Sequence, residues 1–326
     1  MLIISAEEIR NIFSMKDAIA SDREAFILQT EGGCEAPPRI NFDVGPNAIT
    51  SFMPALVKRY PQAGIKIVST YTENPNKGLP AVSATVILAD PETGIVNALI
   101  DGTELTRLRT AAVSGLATSL LARTDASTGA LFGTGGQAAS QLEALMTVRN
   151  FSEIRVFDKN PEFIDSFIQR TAGVAEKFGT KIIKAKTSDD AIDNADVITT
   201  VTTSAEPVFD GEKIKPGAHI NAVGVFLPHK RELDEATLRR ADKIFIDNWE
   251  AIESEAGDFL IPISEGKFSF DKINGELGEL ILGKKEGRSG EREITLMKTV
   301  GFATLDVVIA HNVYQKAIEA GVGRNI

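Results

Sequence analysis

Apolar positions cluster in short runs between about Asp125 and Asn248, and patterns typical of amphipathic helices separate most of these runs. Helical patterns include Pro161–Phe178 and Leu233–Arg240. Strands are predicted at Ala130–Phe132, Ile154–Phe157, Lys181–Lys184, Val197–Val201, Ile220–Val223 and Ile244–Ile246. Regular alternation of strand and helix indicates an α/β domain in which a doubly wound parallel sheet is covered on both faces. These strands would by themselves complete such a domain.

The chain before this region has a different pattern. Two helices are predicted first, at Ser5–Phe13 and Met15–Glu31. Strand-like runs follow at Ala48–Met53, Gly64–Thr70, Val82–Leu88 and Ile95–Ile100, with a turn at Asp90–Gly94 between the last two. This order predicts a separate α+β domain with an antiparallel or mixed sheet. The last two runs are apolar on much of both faces, so we expect a sheet edge that pairs with a second copy of the chain.

A long helix is predicted to follow these strands. Asp101 and Glu104 have the spacing of a capping box, with Asp as the capping residue. Apolar residues then recur every three or four positions, which predicts that Arg107 and Arg109 point in different directions.

The first strand of the alternating region leads into a glycine-rich turn. Gly133-Thr134-Gly135-Gly136-Gln137-Ala138 fits G-x-G-x-x-A, the turn on which a dinucleotide rests its pyrophosphate at a helix N-terminus. The second strand ends at Asp158, where a carboxylate is expected to bind the adenosine ribose hydroxyls. These features predict a Rossmann domain, and the alternative is a purely structural turn beside a surface aspartate.

Composition excludes several classes of function. The formal charge of −10 and the pI near 5.0 argue against nucleic acid as a partner. No apolar run is long enough to span a membrane, so no membrane partner is expected. The single cysteine, Cys34, and the lack of a signal-peptide pattern favour a cytoplasmic location. No paired cysteines or histidine motif indicates a metal site, and no G-x-S-x-G serine motif is present.

The candidate chemistry lies with three cations: Arg39, Lys66 and Arg109. Lys66 stands in the apolar run Ile65-Lys66-Ile67-Val68. In an apolar site the pKa of a lysine falls, which makes its amine a usable proton donor or acceptor. The alternative is a strand lysine whose amine reaches solvent. The two arginines could bind a carboxylate by two-point hydrogen bonds, or could simply lie at the surface.

The motifs resemble, in order and over almost the whole chain, those of the ornithine cyclodeaminase/mu-crystallin family. The matching segments are Asn74-Pro75-Asn76-Lys77-Gly78-Leu79-Pro80, Asp90–Gly94, Asp101-Gly102, Arg109-Thr110-Ala111-Ala112, Gly133–Ala138, His219–Gly224, Arg231-Glu232-Leu233-Asp234, Gly287-Arg288-Ser289 and Gly301 with Asp306. The resemblance implies a Rossmann domain, a substrate and dimerisation domain completed by the C-terminal helix, and bound NAD(H) or NADP(H).

The resemblance also assigns roles to residues. It places the carboxylate-binding arginines at Arg39 and Arg109, the catalytic lysine at Lys66 and a substrate-pocket methionine at Met53. Cofactor contacts are expected from the turn, from two residues at the end of the second strand, from one helix residue and from the ends of two further strands. They are Gly133, Thr134, Gly135, Gly136, Gln137, Ala138, Asp158, Lys159, Thr110, Val201, Thr202, Val223 and Gly224.

Two positions depart from the cyclodeaminase branch of the family. The acidic residue that faces the distal amine of ornithine there corresponds to Phe226, and a second acidic pocket residue corresponds to Ser51. Burying an ammonium group without a carboxylate costs several kcal/mol. The substrate pocket, which includes Phe226, is therefore expected to suit a neutral side chain or a cyclic imine.

These observations predict an NAD(P)-dependent oxidoreductase acting on an α-amino or α-imino acid, either alanine-dehydrogenase-like or pyrroline- or piperideine-2-carboxylate-reductase-like. NAD(H) is the preferred cofactor, with NADP(H) as the alternative, because Asp158 would repel a 2′-phosphate. We expect a homodimer with residues 1–112 and 302–326 forming the substrate-binding and dimerisation domain and residues 113–301 the NAD-binding domain. The alternatives are an ornithine or lysine cyclodeaminase with recycled NAD, and a non-catalytic binder of NAD(P)H and small ligands like mu-crystallin.

Overall fold

The computed structural model describes residues 1–46 and 48–326. The chain forms two compact units: unit 1 comprises residues 1–109 and 302–326, and unit 2 comprises residues 110–301. Unit 2 is therefore one continuous segment inserted between the two parts of unit 1. Across the described ranges, no helix is long and apolar enough to cross a membrane.

Unit 1 contains helices packed on a mixed sheet. Its strands are β1 (Leu2–Ile4), β2 (Cys34–Glu35), β3 (Ile40–Gly45), β4 (Ala48–Val57), β5 (Gln62–Tyr71), β6 (Val82–Ala89), β7 (Val96–Asp101) and, near the C-terminus, β16 (Arg324–Asn325). Its helices are α1 (Ala6–Ile12), α2 (Met15–Thr30), the first part of α3 (Gly102–Leu121), α11 (Ala303–Ala320) and a 3-10 turn at Asn74–Lys77. The strand order is β16-β1-β7-β6-β5-β4-β2, with β3 also paired to β4.

Local sequence determines where these helices begin. Ser5 and Ser14 each form a complete capping box, with Glu8 and Asp17 respectively. At α3 only half of the capping box forms. Asp101 accepts a bond from the backbone N–H of Glu104 at 2.8 Å, but the Glu104 carboxylate binds Arg10 at 3.0 Å instead of the capping residue. Arg107 and Arg109 do point in different directions, since their side chains are 41% and 8% exposed.

The prediction that the last two strand-like runs form an open sheet edge was wrong for β7. β7 is not an edge strand, because β1 pairs with it in parallel from Leu2 to Ile4. The sequence pattern missed β1, which is only three residues long. It also missed β3, whose polar Asn41 and Asp43 and flanking prolines are typical of a loop. In β3 the apolar side chains of Ile40, Phe42 and Val44 are exposed.

Unit 2 is a parallel α/β layer structure. Its strands are β8 (Thr128–Phe132), β9 (Glu153–Phe157), β10 (Lys181–Lys184), β11 (Val197–Thr200), β12 (His219–Ala222), β13 (Lys243–Ile246), β14 (Gly275–Glu276) and β15 (Thr295–Lys298). Its helices are the rest of α3, α4 (Ala138–Val148), α5 (Pro161–Phe178), α6 (Ser188–Ile192), α7 (Glu235–Arg240), α8 (Trp249–Glu255), α9 (Gly257–Ser264) and α10 (Leu277–Ile281), with 3-10 turns at Gly211–Lys213 and Phe270–Lys272.

The strand order in unit 2 is β10-β9-β8-β11-β12-β15-β13-β14, with every pairing parallel. The order reverses between β8 and β11, which is where Rossmann sheets bind their ligands. The predicted α/β fold class is confirmed. The predicted strands alone do not complete the sheet, because β15 lies between β12 and β13 and β14 extends the edge. Both additions are short and follow polar segments, so their pattern gave no signal.

Candidate functional site

The glycine-rich turn of unit 2 has the geometry of a phosphate cradle. Gly133 follows β8 with φ of +99°, and a Cβ there would lie 2.8 Å from the carbonyl oxygen of Val201. At Gly135 and Gly136, no heavy atom of the described chain lies within 4 Å of a Cβ position. Helix α4 then begins at Ala138, and its N-cap residue Gln137 makes no side-chain cap bond. The turn therefore fits a dinucleotide pyrophosphate, which would bind the first N–H groups of α4.

The ends of β11 and β12 reach the same edge of the sheet as this turn. The N–H of Val201 donates to Phe132 at 2.9 Å, and the N–H of Val223 donates to Thr200 at 2.9 Å. The N–H groups of Thr202 and Gly224 both donate to the buried carboxylate of Glu232, at 2.6 Å and 2.8 Å. Four of the predicted cofactor residues thus lie side by side at the carboxyl ends of neighbouring strands.

Asp158 lies at the end of β9 and contacts the turn. Its Oδ2 accepts bonds from the N–H and the hydroxyl of Thr134, at 3.1 Å and 2.8 Å. Lys159 beside it is exposed. Thr110, in α3, is joined to α4 because its carbonyl accepts a bond from Gln141 at 3.3 Å. Direct contacts of these residues with a cofactor stay a prediction.

Unit 1 contains a separate cluster of buried charges centred on Asp306. Lys66, on β5, is 1% exposed, and its Nζ lies 2.7 Å from Oδ2 of Asp306 on α11. Arg109, on α3, donates its Nε to the other oxygen, Oδ1, at 3.0 Å. The side chain of Asp306 is fully buried. One carboxylate therefore holds two of the three predicted cations.

The environment changes the pKa values of this cluster. Burial, with the neighbouring charge of Arg109, lowers the pKa of Lys66 to about 7, although Asp306 opposes the shift. Burial would raise the pKa of Asp306, but the charges of Lys66 and Arg109 outweigh it and the pKa falls. Arg39 contributes to both shifts, so its charge lies near the cluster. Lys66 is therefore not a strand lysine with its amine in solvent, and it can exchange a proton near neutral pH.

A second carboxyl group lies close by. Asp22, on α2, is fully buried, and within the described ranges neither of its oxygens has a hydrogen-bond partner. Burial raises the pKa of Asp22 well above its ordinary value. The charge of Asp306 raises it further, and the charge of Arg109 opposes the rise. Burial therefore favours the protonated, uncharged form of the Asp22 carboxyl over the form that an exposed aspartate adopts.

The remaining predicted substrate residues lie in different units. Met53 faces Lys66 directly across β4 and β5 and is 1% exposed. Ser51, two residues earlier on the same face of β4, is buried and donates its hydroxyl to Asn41 at 2.5 Å. Phe226 belongs to unit 2, after β12, and is 38% exposed. Lys66, Met53, Arg109 and the nearby charge of Arg39 come together in unit 1, and Phe226 is not part of that cluster.

No functional role is predicted from the sequence for Asp306, Asp22 or Glu232. Asp306 interrupts an apolar helical pattern, Leu305-Asp306-Val307-Val308, which is an available signal for a buried charge. Asp22 gave no comparable signal, because it lies between polar neighbours in a weakly amphipathic helix.

Fold and sites together define an α/β protein that pairs a dinucleotide-binding unit with a unit carrying a buried lysine–aspartate–arginine cluster. A family model described as "Ornithine cyclodeaminase/mu-crystallin family" matches residues 1–321. The chain is 37% identical over 327 residues to a Delta(1)-pyrroline-2-carboxylate reductase of Bacillus cereus, covering 100% of this chain and 99% of that protein. The chain belongs to this family, as its motifs predicted.

Solved structures that are similar along the whole chain include a reductase and a dehydrogenase. The Delta(1)-pyrroline-2-carboxylate reductase of Thermococcus litoralis, in complex with NADH and L-proline, is 38% identical with a TM-score of 0.96 over 100% of both chains. An archaeal alanine dehydrogenase dimer with bound NAD is 35% identical with a TM-score of 0.92, over 100% of this chain and 98% of that one.

Proposed function

We propose that the protein reduces a cyclic α-imino acid of the Delta(1)-pyrroline-2-carboxylate type to the corresponding amino acid, with NADH as the reductant. Its class, an NAD(P)-dependent oxidoreductase acting on imino or amino acids, is that of its relatives. The observation that carries the proposal is the buried cluster in which Lys66, with a pKa of about 7, pairs with Asp306 beside Arg109.

Each residue of the cluster has a distinct task in this reaction. Asp306 occupies Nε of Arg109, so the terminal nitrogens of that guanidinium are the ones that would bind a substrate carboxylate. Arg39 adds a second positive charge for the same anion. Met53, across the sheet from Lys66, gives the site an apolar wall suited to a carbon ring.

The proton comes from the protein. When bound, NADH supplies the hydride that adds to the carbon of the C=N bond. The ammonium group of Lys66 gives its proton to the nitrogen, and the neutral amine that remains takes up a proton from water. Burial lowers the pKa of Lys66 to about 7, although Asp306 holds Nζ in one position and stabilises the charged form, and a group that titrates there can act in both directions.

Two sequence positions bear on the substrate side chain. A cyclodeaminase must hold a second ammonium group, and the positions at which that branch of the family has carboxylates correspond to Ser51 and Phe226. The residues therefore support a neutral or cyclic substrate over ornithine. The position of Asp158 beside the phosphate turn supports NAD(H) over NADP(H).

We further propose that residues 1–112 with 302–326 bind the substrate and form the homodimer, and that residues 113–301 bind the cofactor. The dimer of the similar alanine dehydrogenase supports this assembly. A cytoplasmic location is supported by the single cysteine.

The test is a turnover screen that follows NADH by its absorbance and released ammonia by a separate assay. Pyrroline-2-carboxylate and piperideine-2-carboxylate, pyruvate with ammonia, and L-ornithine are compared, each with NADH or NADPH for the reductive assays and NAD for ornithine. We expect the fastest turnover with a cyclic imine and NADH. Conversion of ornithine with ammonia release and no net change in NADH, faster than any imine reduction, would overturn the proposal.

A further inference from the structure

Three buried charged residues of unit 2 lie outside the chemistry described so far. Glu232, Asp258 and Lys298 are each 0% exposed. Nζ of Lys298, on β15, lies 2.7 Å from Oδ2 of Asp258 and donates to the carbonyl of Val225 at 2.7 Å. The other oxygen of Asp258 accepts the N–H groups of Glu232 and Leu233, at 2.7 Å and 2.9 Å. The three residues thus form a continuous chain of bonds that ends at Glu232.

The Glu232 carboxylate joins two segments at the carboxyl edge of the sheet. Oε1 accepts the N–H of Thr202 at 2.6 Å, after β11. Oε2 accepts the N–H of Gly224 at 2.8 Å, after β12, and the hydroxyl of Thr200 at 2.9 Å. A Cβ at Gly224 would lie only 2.3 Å from backbone atoms of Thr202, so the two segments touch without an intervening side chain.

These segments lie where the nicotinamide end of a dinucleotide belongs. The pyrophosphate turn follows β8, and Asp158, the expected ribose partner on the adenosine side, follows β9. A dinucleotide spans the point where the strand order reverses, so its other half extends toward β11 and β12. The backbone held by Glu232 is therefore the floor of that half of the site.

We propose that Glu232 is a positioning residue for the nicotinamide half of the cofactor, and that Asp258 and Lys298 hold it in place. Its carboxylate fixes the separation of the segments after β11 and β12, and so the orientation in which the ring is presented for hydride transfer. The inference rests on the proposed function, since it presumes that NADH binds unit 2.

The experiment compares NADH with ADP-ribose, which lacks the nicotinamide ring. Glu232→Gln keeps the shape of the side chain, but its amide nitrogen must face either Thr202 N–H or the Gly224 and Thr200 donors. Two donors then face each other, so one segment moves away from the position that the carboxylate fixes and the nicotinamide ring loses contacts. A loss of about one such contact corresponds to about a tenfold change in affinity. By calorimetry we expect about tenfold weaker NADH binding with unchanged ADP-ribose binding, and a fall in kcat of about tenfold or more at saturating substrate.

Asp196→Asn is the matched control. Asp196 is a buried carboxylate of the same sheet that also accepts two backbone N–H groups, those of Ser127 and Thr128, but these lie at the opposite, amino-terminal end of β8. We expect this variant to melt at a lower temperature than the wild type. The ratio of its affinities for NADH and ADP-ribose should stay that of the wild type. If both variants lower the two affinities equally, Glu232 is a structural residue only and the inference fails.

A milder variant tests the inference even if Glu232→Gln does not fold. Thr200→Val removes one of the three bonds to the carboxylate and keeps the side-chain shape, so we expect the same selective loss for NADH at a smaller size. An unchanged ratio of affinities and an unchanged kcat in Thr200→Val would also overturn the inference. Failure of the wild type to bind NADH at all would instead overturn the proposed function.

Discussion

Burial lowers the pKa of the Lys66 amine to about 7. In the proposed reaction this amine must be charged to donate a proton during imine reduction, and neutral to accept one during amine oxidation. We expect kcat/KM for reduction to fall as the pH rises through about 7, and kcat/KM for oxidation to rise over the same interval. Initial rates measured in both directions, from about pH 5.5 to about pH 9, test this.

Two substitutions separate the charge of Lys66 from its titration. Lys66→Arg keeps a positive charge beside Asp306 but does not titrate in this range, and Lys66→Ala removes the group. Both should abolish turnover while NADH binding and far-UV circular dichroism stay those of the wild type. Activity within a few-fold of wild type in Lys66→Ala would show that the lysine is not the proton donor.

Asp22 predicts a pH dependence of stability. Its folded pKa is raised, so the folded state holds a proton that the unfolded state releases above about pH 4. This contribution to stability is complete below the unfolded pKa and is lost as the pH rises, by at most about 1.4 kcal/mol per pH unit. We expect Asp22→Asn to weaken the fall of the melting temperature as the pH rises above about 4, and Glu31→Gln, an exposed change at the end of the same helix, to leave the wild-type slope.

The preference for one substrate over another is also expected to depend on single residues. Phe226→Asp combined with Ser51→Glu supplies the two carboxylates that a distal ammonium group requires. Since a lost charged partner costs about 2–5 kcal/mol, the double variant should shift kcat/KM toward L-ornithine over the cyclic imine by tenfold or more. Each single variant serves as a control with a smaller shift. No shift in any of them would show that these positions do not line the pocket.

At the scale of elements, the turn between β8 and α4 depends on Gly133. An alanine there would be strained at φ of +99° and would press on the carbonyl of Val201. We expect Gly133→Ala to weaken NADH binding at least tenfold. Gly179→Ala is the control: it ends α5 at φ of +68°, and within the described chain no heavy atom lies within 4 Å of its Cβ position. Gly179→Ala should lower the melting temperature and leave NADH affinity unchanged.

Elements with a strong pattern of their own were predictable from the sequence, and elements defined by their neighbours were not. Lys181–Lys184 and Pro161–Phe178 agree with β10 and α5 to the residue. β15 escaped notice because its four residues begin with Thr295 and end with Lys298, a polar pattern that becomes a central strand only between β12 and β13. The same holds for the site. Lys66 stood out against its apolar run, whereas its partner Asp306 became significant only when α11 packed on the sheet.

At the scale of the whole molecule, we expect a dimer formed through unit 1. β3 exposes Phe42 (56%) between the exposed Ile40 and Val44, which gives unit 1 an apolar ridge. Light scattering should give about twice the chain mass of 35.1 kDa. Phe42→Asp should produce monomer, and Phe163→Asp, at a 55% exposed phenylalanine of unit 2, should not. A wild-type mass of one chain at micromolar concentration would contradict the dimer.

The path of the chain also sets the order in which the buried charge cluster of Lys66, Arg109 and Asp306 can be assembled during synthesis. Arg109 and Asp306 are 197 residues apart, and the whole of unit 2 lies between them. At about 5–20 residues per second, a ribosome needs on the order of 10–40 s to add that stretch. Throughout this interval Lys66 and Arg109 have been made but their carboxylate has not. Unit 2 is contiguous and its last residue precedes Asp306, so all strands of its sheet are synthesised before the ion pairs of unit 1 can close. A chain that ends before Asp306 would therefore contain all of unit 2, while Lys66 and Arg109 would lack their carboxylate partner.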